Sequence, residues 1–280
     1  MGAFSEPKKV GGSPPVPNIL GLDEIEKWLL TPTDYAKLFK CMLYGADGTG
    51  KSGIALDFLT EEDIAEGKKI VIIDLDAGNV PLIAKYHKDK IKNIILKNPL
   101  AIKIENGDVA TDYKLTFARI KAIINWINLK HKEYKIKAVI FDGLSTALKH
   151  AEYQMRIERH LTIDGGVNQS YWKLREKLFS ETISAIKSLP INSFFIAHED
   201  FIAEEQERDL AMVKQKTNQE MHQKIKCVRK DTGDKIIFKA IIDKSKYRVD
   251  SEGKEIIFCE INKETKKVKW QTKEIFECLL

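Results

Sequence analysis

At 280 residues and 43% hydrophobic content, the chain can bury a full core as one large domain, or as one domain with a small appendage. No apolar run approaches the ~20 residues that span a bilayer, and the opening stretch "MGAFSEPKKVGGSPPVPNIL" lacks the apolar centre of a signal peptide. The expectation is therefore a cytoplasmic protein with no membrane partner. The net charge of +5 does not by itself demand a nucleic acid. Cys41, Cys227, Cys259 and Cys278 form no CxxC pair, which argues against a zinc centre or a disulfide framework.

Residues 1–18, rich in Gly, Pro and Ser, read as a flexible tail. A short amphipathic helix around "LDEIEKWLL" follows, and then apolar runs alternate with helical patterns. The runs "LFKCMLYG", "KKIVIIDLD", "KNIILK", "KAVIFDG" and "INSFFIAHE" have the length and composition of buried strands. Over 112–130, Phe117, Ile120, Ile124 and Ile127 recur at helical spacing, with Thr111 or Asp112 as cap. Over 171–189, Trp172, Phe179, Ile183 and Ile186 do the same, and Pro190 stops the helix.

Buried strands separated by helices predict an α/β fold, a doubly wound and mostly parallel sheet with helices on both faces. From about 222 the pattern changes to short strands with hairpin signals, which predicts a C-terminal β-meander packed on the edge of the core. The organisation read from sequence is thus a tail (1–18), a core (19–221) and a β-rich extension (222–280). Charge follows the same division. Residues 211–280 hold 17 Lys and Arg against 11 Asp and Glu, whereas 1–210 is about neutral. Lysine-rich faces that keep a protein soluble give the same imbalance.

The stretch "LYGADGTGKSG" carries the strongest chemical signal. Gly45, Gly50, Lys51 and Ser52 fit G-x-x-x-x-G-K-[ST] between a strand and a helix. The glycines let backbone N–H groups from Gly45, Ala46, Asp47, Gly48, Thr49, Gly50, Lys51, Ser52 and Gly53 turn inward around phosphates. Lys51 reaches the β and γ phosphates, and Ser52 is placed to ligate Mg²⁺. ATP and Mg²⁺ are the expected cofactors. Asp142, ending "KAVIF", is placed to hold the metal directly or through water, although a carboxylate there also suits a helix cap. "KIVIIDLD" ends in Asp74 and Asp76, which share one side by the two-residue strand period, Asp76 nearer the crevice. Asp76 could orient and deprotonate a water; both carboxylates could instead cap the turn "AGNVP".

In this order of elements the chain resembles the RecA-like P-loop ATPases of the ASCE class, over roughly residues 36–250. The resemblance implies that Asp76 stands where the family has a catalytic Glu, and that His198 after "SFFIA" reads the γ phosphate. It also implies that Lys246 and Arg248 in "DKSKYRV" form a finger reaching a neighbouring subunit's nucleotide. If that stretch is a strand, Lys244, Lys246 and Arg248 share one face; a solvated edge strand gives the same pattern. More narrowly, "FFIAHED" after a helix beginning "YWKLREKL" is similar to phage RecA-like ATPases of single-strand annealing and recombination. That implies a viral or prophage protein acting on single-stranded DNA as a ring or filament of identical subunits, with a single-strand-binding protein as a possible companion.

Two basic stretches are the candidate DNA contacts: Arg156 and Arg159 with the Gly165-Gly166 pivot, and Lys214, Lys216, Lys224 and Lys226 after the sensor strand. Ordinary exposed loops have the same composition. Three functions follow in order: a DNA-dependent ATPase in recombination or annealing, a nucleotide-switched assembly or regulatory protein without DNA, and a P-loop kinase.

Overall fold

The computed structural model describes residues 38–105, 107–162, 165–198 and 221–279. The tail at 1–18, the helix expected around "LDEIEKWLL", and Lys214 and Lys216 lie outside them. In chain order, β1 (Lys40–Gly45) leads into α1 (Lys51–Asp57) and α2 (Glu61–Ala65). Next come β2 (Lys69–Asp74), α3 (Asn79–Tyr86), β3 (Ile94–Lys97), β4 (Ile102–Glu105), β5 (Asp108–Thr111) and α4 (Tyr113–Lys130). The chain continues through β6 (Ile136–Asp142), α5 (Leu144–Glu158), α6 (Trp172–Lys187) and β7 (Asn192–His198). It closes with β8 (Gln223–Thr232), β9 (Lys235–Ser245), β10 (Glu255–Asn262), β11 (Val268–Trp270) and α7 (Lys273–Leu279).

Nine strands form one sheet in the order β11-β10-β9-β8-β1-β7-β6-β2-β3. From β8 to β3 the pairing is parallel, as expected of apolar strands joined by helical crossovers. Each buried strand alternates between two cores. Cys41, Leu43, Ile70, Ile72, Phe194 and Ile196 pack with Ile54 and Leu56 of α1. Met42, Tyr44, Val71, Ile73 and Phe195 pack beneath α4, α5 and α6. Of the apolar faces read from spacing, Phe117, Ile120, Ile124 and Ile127 on α4 and Phe179, Ile183 and Ile186 on α6 are buried, while Trp172 at the start of α6 is only half-buried. The Asp112 carboxylate caps α4 by accepting from Leu115 N.

The C-terminal strands differ from expectation in how they join the core. β8 pairs with β1 in parallel, Cys41 opposite Gln223 and Tyr44 opposite Lys226, and only then does the antiparallel meander begin. The meander therefore extends the sheet itself, and its Phe238, Ile256 and Phe258 enter the same core as α1. Lys224 and Lys226 accordingly sit within a sheet strand, which corrects their expected place in a loop. A further correction concerns "DKSKYRV": β9 stops at Ser245. Lys246 N still donates across the strand pair to His222 O, but the chain bends at 246–247 and Arg248 N donates back to Ser245 Oγ, so Lys244, Lys246 and Arg248 do not share a strand face. The β4–β5 hairpin is an addition to the sequence reading.

Among the described residues, no helix is long and apolar enough to cross a membrane.

Candidate active site

Parallel pairing brings the C-terminal ends of β1, β2, β6 and β7 to one edge. Gly45 lies opposite His198, Asp74 opposite Asp142, and Asp142 opposite Ile196. In an open α/β sheet that edge is where ligands bind.

The loop after β1 is held from both sides. Gly45 has φ +149°, and a side chain on it would begin 2.2 Å from the Cys227 carbonyl oxygen of β8, so only glycine fits against the neighbouring strand. Gly50, at φ +82°, turns the chain into α1. Thr49 Oγ1 donates to Ala46 O at 2.8 Å, and Asp47 accepts from Gly48 N at 2.8 Å. The Lys51 ammonium donates to Gly45 O (3.0 Å) and Ala46 O (2.7 Å), which fixes it at the rim of the loop. Burial lowers its pKa, while the charges of Asp142, Asp47 and Asp76 act the other way.

Facing the loop is a group of oxygens. Ser52 Oγ donates to Asp142 Oδ2 at 2.8 Å, and Asn79 Nδ2 donates to the same oxygen at 2.9 Å. Asn79 N also donates to Asp74 Oδ2 at 3.3 Å, so Asn79 ties the two carboxylates together. Asp74, Asn79 and Asp142 are each at most 5% exposed. Asp74 Oδ1 and Asn79 Oδ1 are buried with no hydrogen-bond partner among the described residues. Burial, reinforced by the negative charges of Asp76 and Asp74, raises the Asp142 pKa. Buried carboxylates in excess of donors, with unsatisfied oxygens beside a serine hydroxyl, suit a hydrated divalent cation. Mg²⁺ fits this all-oxygen set through Ser52 and Asp142.

Asp76 lies just outside that group. Its backbone is open to solvent, but its carboxylate is only 24% exposed. His198 Nε2 lies 3.2 Å from Oδ2, and Thr146 of α5 donates to Oδ1. Burial alone would raise this acid. The hydrogen bonds from His198 and Thr146, with the nearby imidazoles of His198 and His150, overcome it and hold Asp76 below its ordinary value. Gly143, φ +104°, makes room, because a side chain there would begin 2.9 Å from Asp76 Oδ1. Ser145 exchanges hydrogen bonds with the backbone N–H and carbonyl of His198 (3.2 and 3.3 Å), which locks the end of β7 to the first turn of α5. Ligand atoms of Asp76, Asp142 and His198 come within 4.8 Å of one another. The imidazole, a softer donor than oxygen, is poorly matched to Mg²⁺ and already engaged with Asp76.

A family model described as an AAA domain matches residues 37–269. The chain belongs to the AAA domain family. Such a domain is a nucleotide-binding P-loop domain of ATPase type. No curated protein matches this AAA domain.

The remaining candidates sit elsewhere. Ser245 pairs with Gln223, and Gln223 with Cys41, which puts Lys246 and Arg248 at the opposite edge of the sheet from the loop, on the order of 13 Å away along β1. In this AAA domain they cannot serve their own loop, and Arg248 is paired with Asp250 at 3.0 Å. Arg156 is engaged by Glu152 and by the carbonyls of Thr162 and Gly165, Arg159 stacks over Tyr171, and Lys224 is buried against Asp243 at 2.7 Å.

Asn79 and Thr146 were missed from sequence. Both stand in the first turn of a helix, where Asn and Thr are common for local reasons, and only the assembled sheet edge shows what they touch.

Proposed function

We propose that this AAA domain is a Mg²⁺-dependent, RecA-like ATPase acting on single-stranded DNA in recombination, annealing or repair. It would work as a homo-oligomer in a prokaryotic cytoplasm, as a phage or prophage protein. The observation that carries the ATPase part is the Asp76 carboxylate. Two donors hold it ionised beside the metal oxygens and near the loop, where a general base for water belongs.

In this reading the loop N–H groups and Lys51 bind the phosphates, Ser52 and Asp142 hold the metal, and Asn79 keeps Asp142 oriented. A Mg²⁺ held by Ser52 and Asp142 would supply positive charge to offset that of the polyphosphate. Asp76 accepts the proton of the attacking water. Thr146 and His198 keep that carboxylate aimed, and His198, at the end of β7, stands where its Nε2–H can turn from Asp76 to a phosphate oxygen when the triphosphate is in place. Lys246 and Arg248, remote from their own loop, are available to a neighbour's nucleotide and so link hydrolysis to assembly.

A nucleotide switch that sets oligomeric state without DNA is the second reading, favoured by the ion pairs that already occupy Arg156 and Lys224. Fluorescence anisotropy of a labelled single-stranded oligonucleotide separates the two. With Mg²⁺ and a non-hydrolysable ATP analogue at low salt, anisotropy is expected to rise with protein and the affinity to fall steeply as salt increases. No rise at any salt removes DNA as the partner and leaves the switch.

A further inference from the structure

β8 does not stop where β1 does. It pairs with β1 through Tyr44 opposite Lys226, then runs on with β9 to Thr232, so its later residues pass alongside the phosphate loop. Side chains alternate along a strand, and Ile225 and Cys227 enter the core that α1 covers. Arg229 is the next residue in that row and emerges at the level of the loop. Its Nη1 lies 3.8 Å from where a side chain on Gly48 would begin. Phe238, opposite Arg229 on β9, packs 3.5 Å from the equivalent point on Gly50. The cross-strand pair therefore flanks the middle of the loop. Arg229 is exposed and forms no hydrogen bond or ion pair with another described residue, in contrast to Arg156, Arg175 and Arg248.

We infer that Arg229 is a phosphate-binding residue that completes the loop from its own subunit, its guanidinium donating to oxygens of the nucleotide's polyphosphate. An unpaired planar fork beside a phosphate-binding loop is suited to that ligand, because two parallel N–H groups match phosphate oxygens. The assignment rests on ATP binding at the loop. It differs from the Lys246 and Arg248 finger, which needs a neighbouring subunit.

The test is a titration of fluorescent ADP and a fluorescent non-hydrolysable ATP analogue, each with Mg²⁺, into the wild-type protein and the variants Arg229→Ala, Arg229→Lys and Lys51→Ala. Arg229→Ala is expected to weaken binding roughly ten- to a hundredfold, the scale of a lost charge-assisted hydrogen bond, with Arg229→Lys in between. The nucleotide-free melting temperature should not change, since the side chain is exposed. Loss for both nucleotides places the contact on the inner phosphates, and loss for the ATP analogue alone places it on the γ phosphate; either supports the assignment. Wild-type affinity in Arg229→Ala, with binding lost in Lys51→Ala, overturns the role of Arg229 alone. Failure of the wild-type protein to bind either nucleotide overturns the ATP reading itself.

Discussion

Asp142→Asn is expected to separate function from stability in opposite directions. Asp142 is buried among carboxylates, and burial together with Asp76 and Asp74 raises its pKa. The fold thus disfavours its ionised form at neutral pH: stability is withheld above the ordinary carboxylate range and recovered as pH falls through the raised value. An asparagine keeps the oxygen that accepts from Ser52 and Asn79 while removing the charge. The nucleotide-free variant should therefore be more stable than wild type, by about 1 kcal/mol, as is common when functional strain is relieved. ATP hydrolysis should fall by roughly two orders of magnitude or more, because the charge that holds the metal is gone. Thermal melts without nucleotide and steady-state hydrolysis check the two halves. A variant that is less stable and still hydrolyses ATP would show that Asp142 is a structural cap.

Asp76→Asn addresses the chemical step. The amide oxygen still accepts from Thr146, but the group no longer takes a proton, so hydrolysis is expected to drop roughly 10²- to 10⁴-fold with binding of an ATP analogue nearly unchanged. The pH profile carries the same signature. Asp76 has a depressed pKa, so the ionised base persists below the ordinary carboxylate range; as pH falls, wild-type activity should decline first as Asp142, whose pKa is raised, takes up a proton, and the Asp76 step should be lost only at the lower value. The stability contributed by its partners is present above the unfolded carboxylate pKa and is lost over the same descent. Equal loss of binding and turnover in the variant would mean that Asp76 holds nucleotide without activating water.

The strands, the two long helices and the phosphate loop were legible because each is a local pattern, an apolar run or a glycine spacing between a strand and a helix. What depends on pairing was not. Nothing in "QKIKCVRKDT" announces that β8 joins β1 in parallel before turning into a hairpin, and the hairpin signal downstream drew the boundary at 222. The loss of strand geometry after Ser245 goes with a local hydrogen bond, Arg248 N to Ser245 Oγ, formed by residues whose alternation still reads as a strand. The β4–β5 hairpin carries a local signal, Asn106-Gly107 between short β-branched runs, but those runs are short and polar-interrupted, unlike the core strands, and in the structure Ile104 is 78% exposed. In the site, Asp76 and Asp142 could be found from strand ends. Asn79, Thr146 and Arg229 could not, because each acquires its role only when separate elements converge on one sheet edge.

The central claim, a DNA-acting ATPase that works as an assembly, is tested most directly by ATP hydrolysis measured with and without single-stranded DNA across a range of protein concentration. The expected result is Mg²⁺-dependent hydrolysis that rises when DNA is added and whose rate per subunit increases with concentration. Hydrolysis that is the same with and without DNA, at a constant rate per subunit, would contradict it.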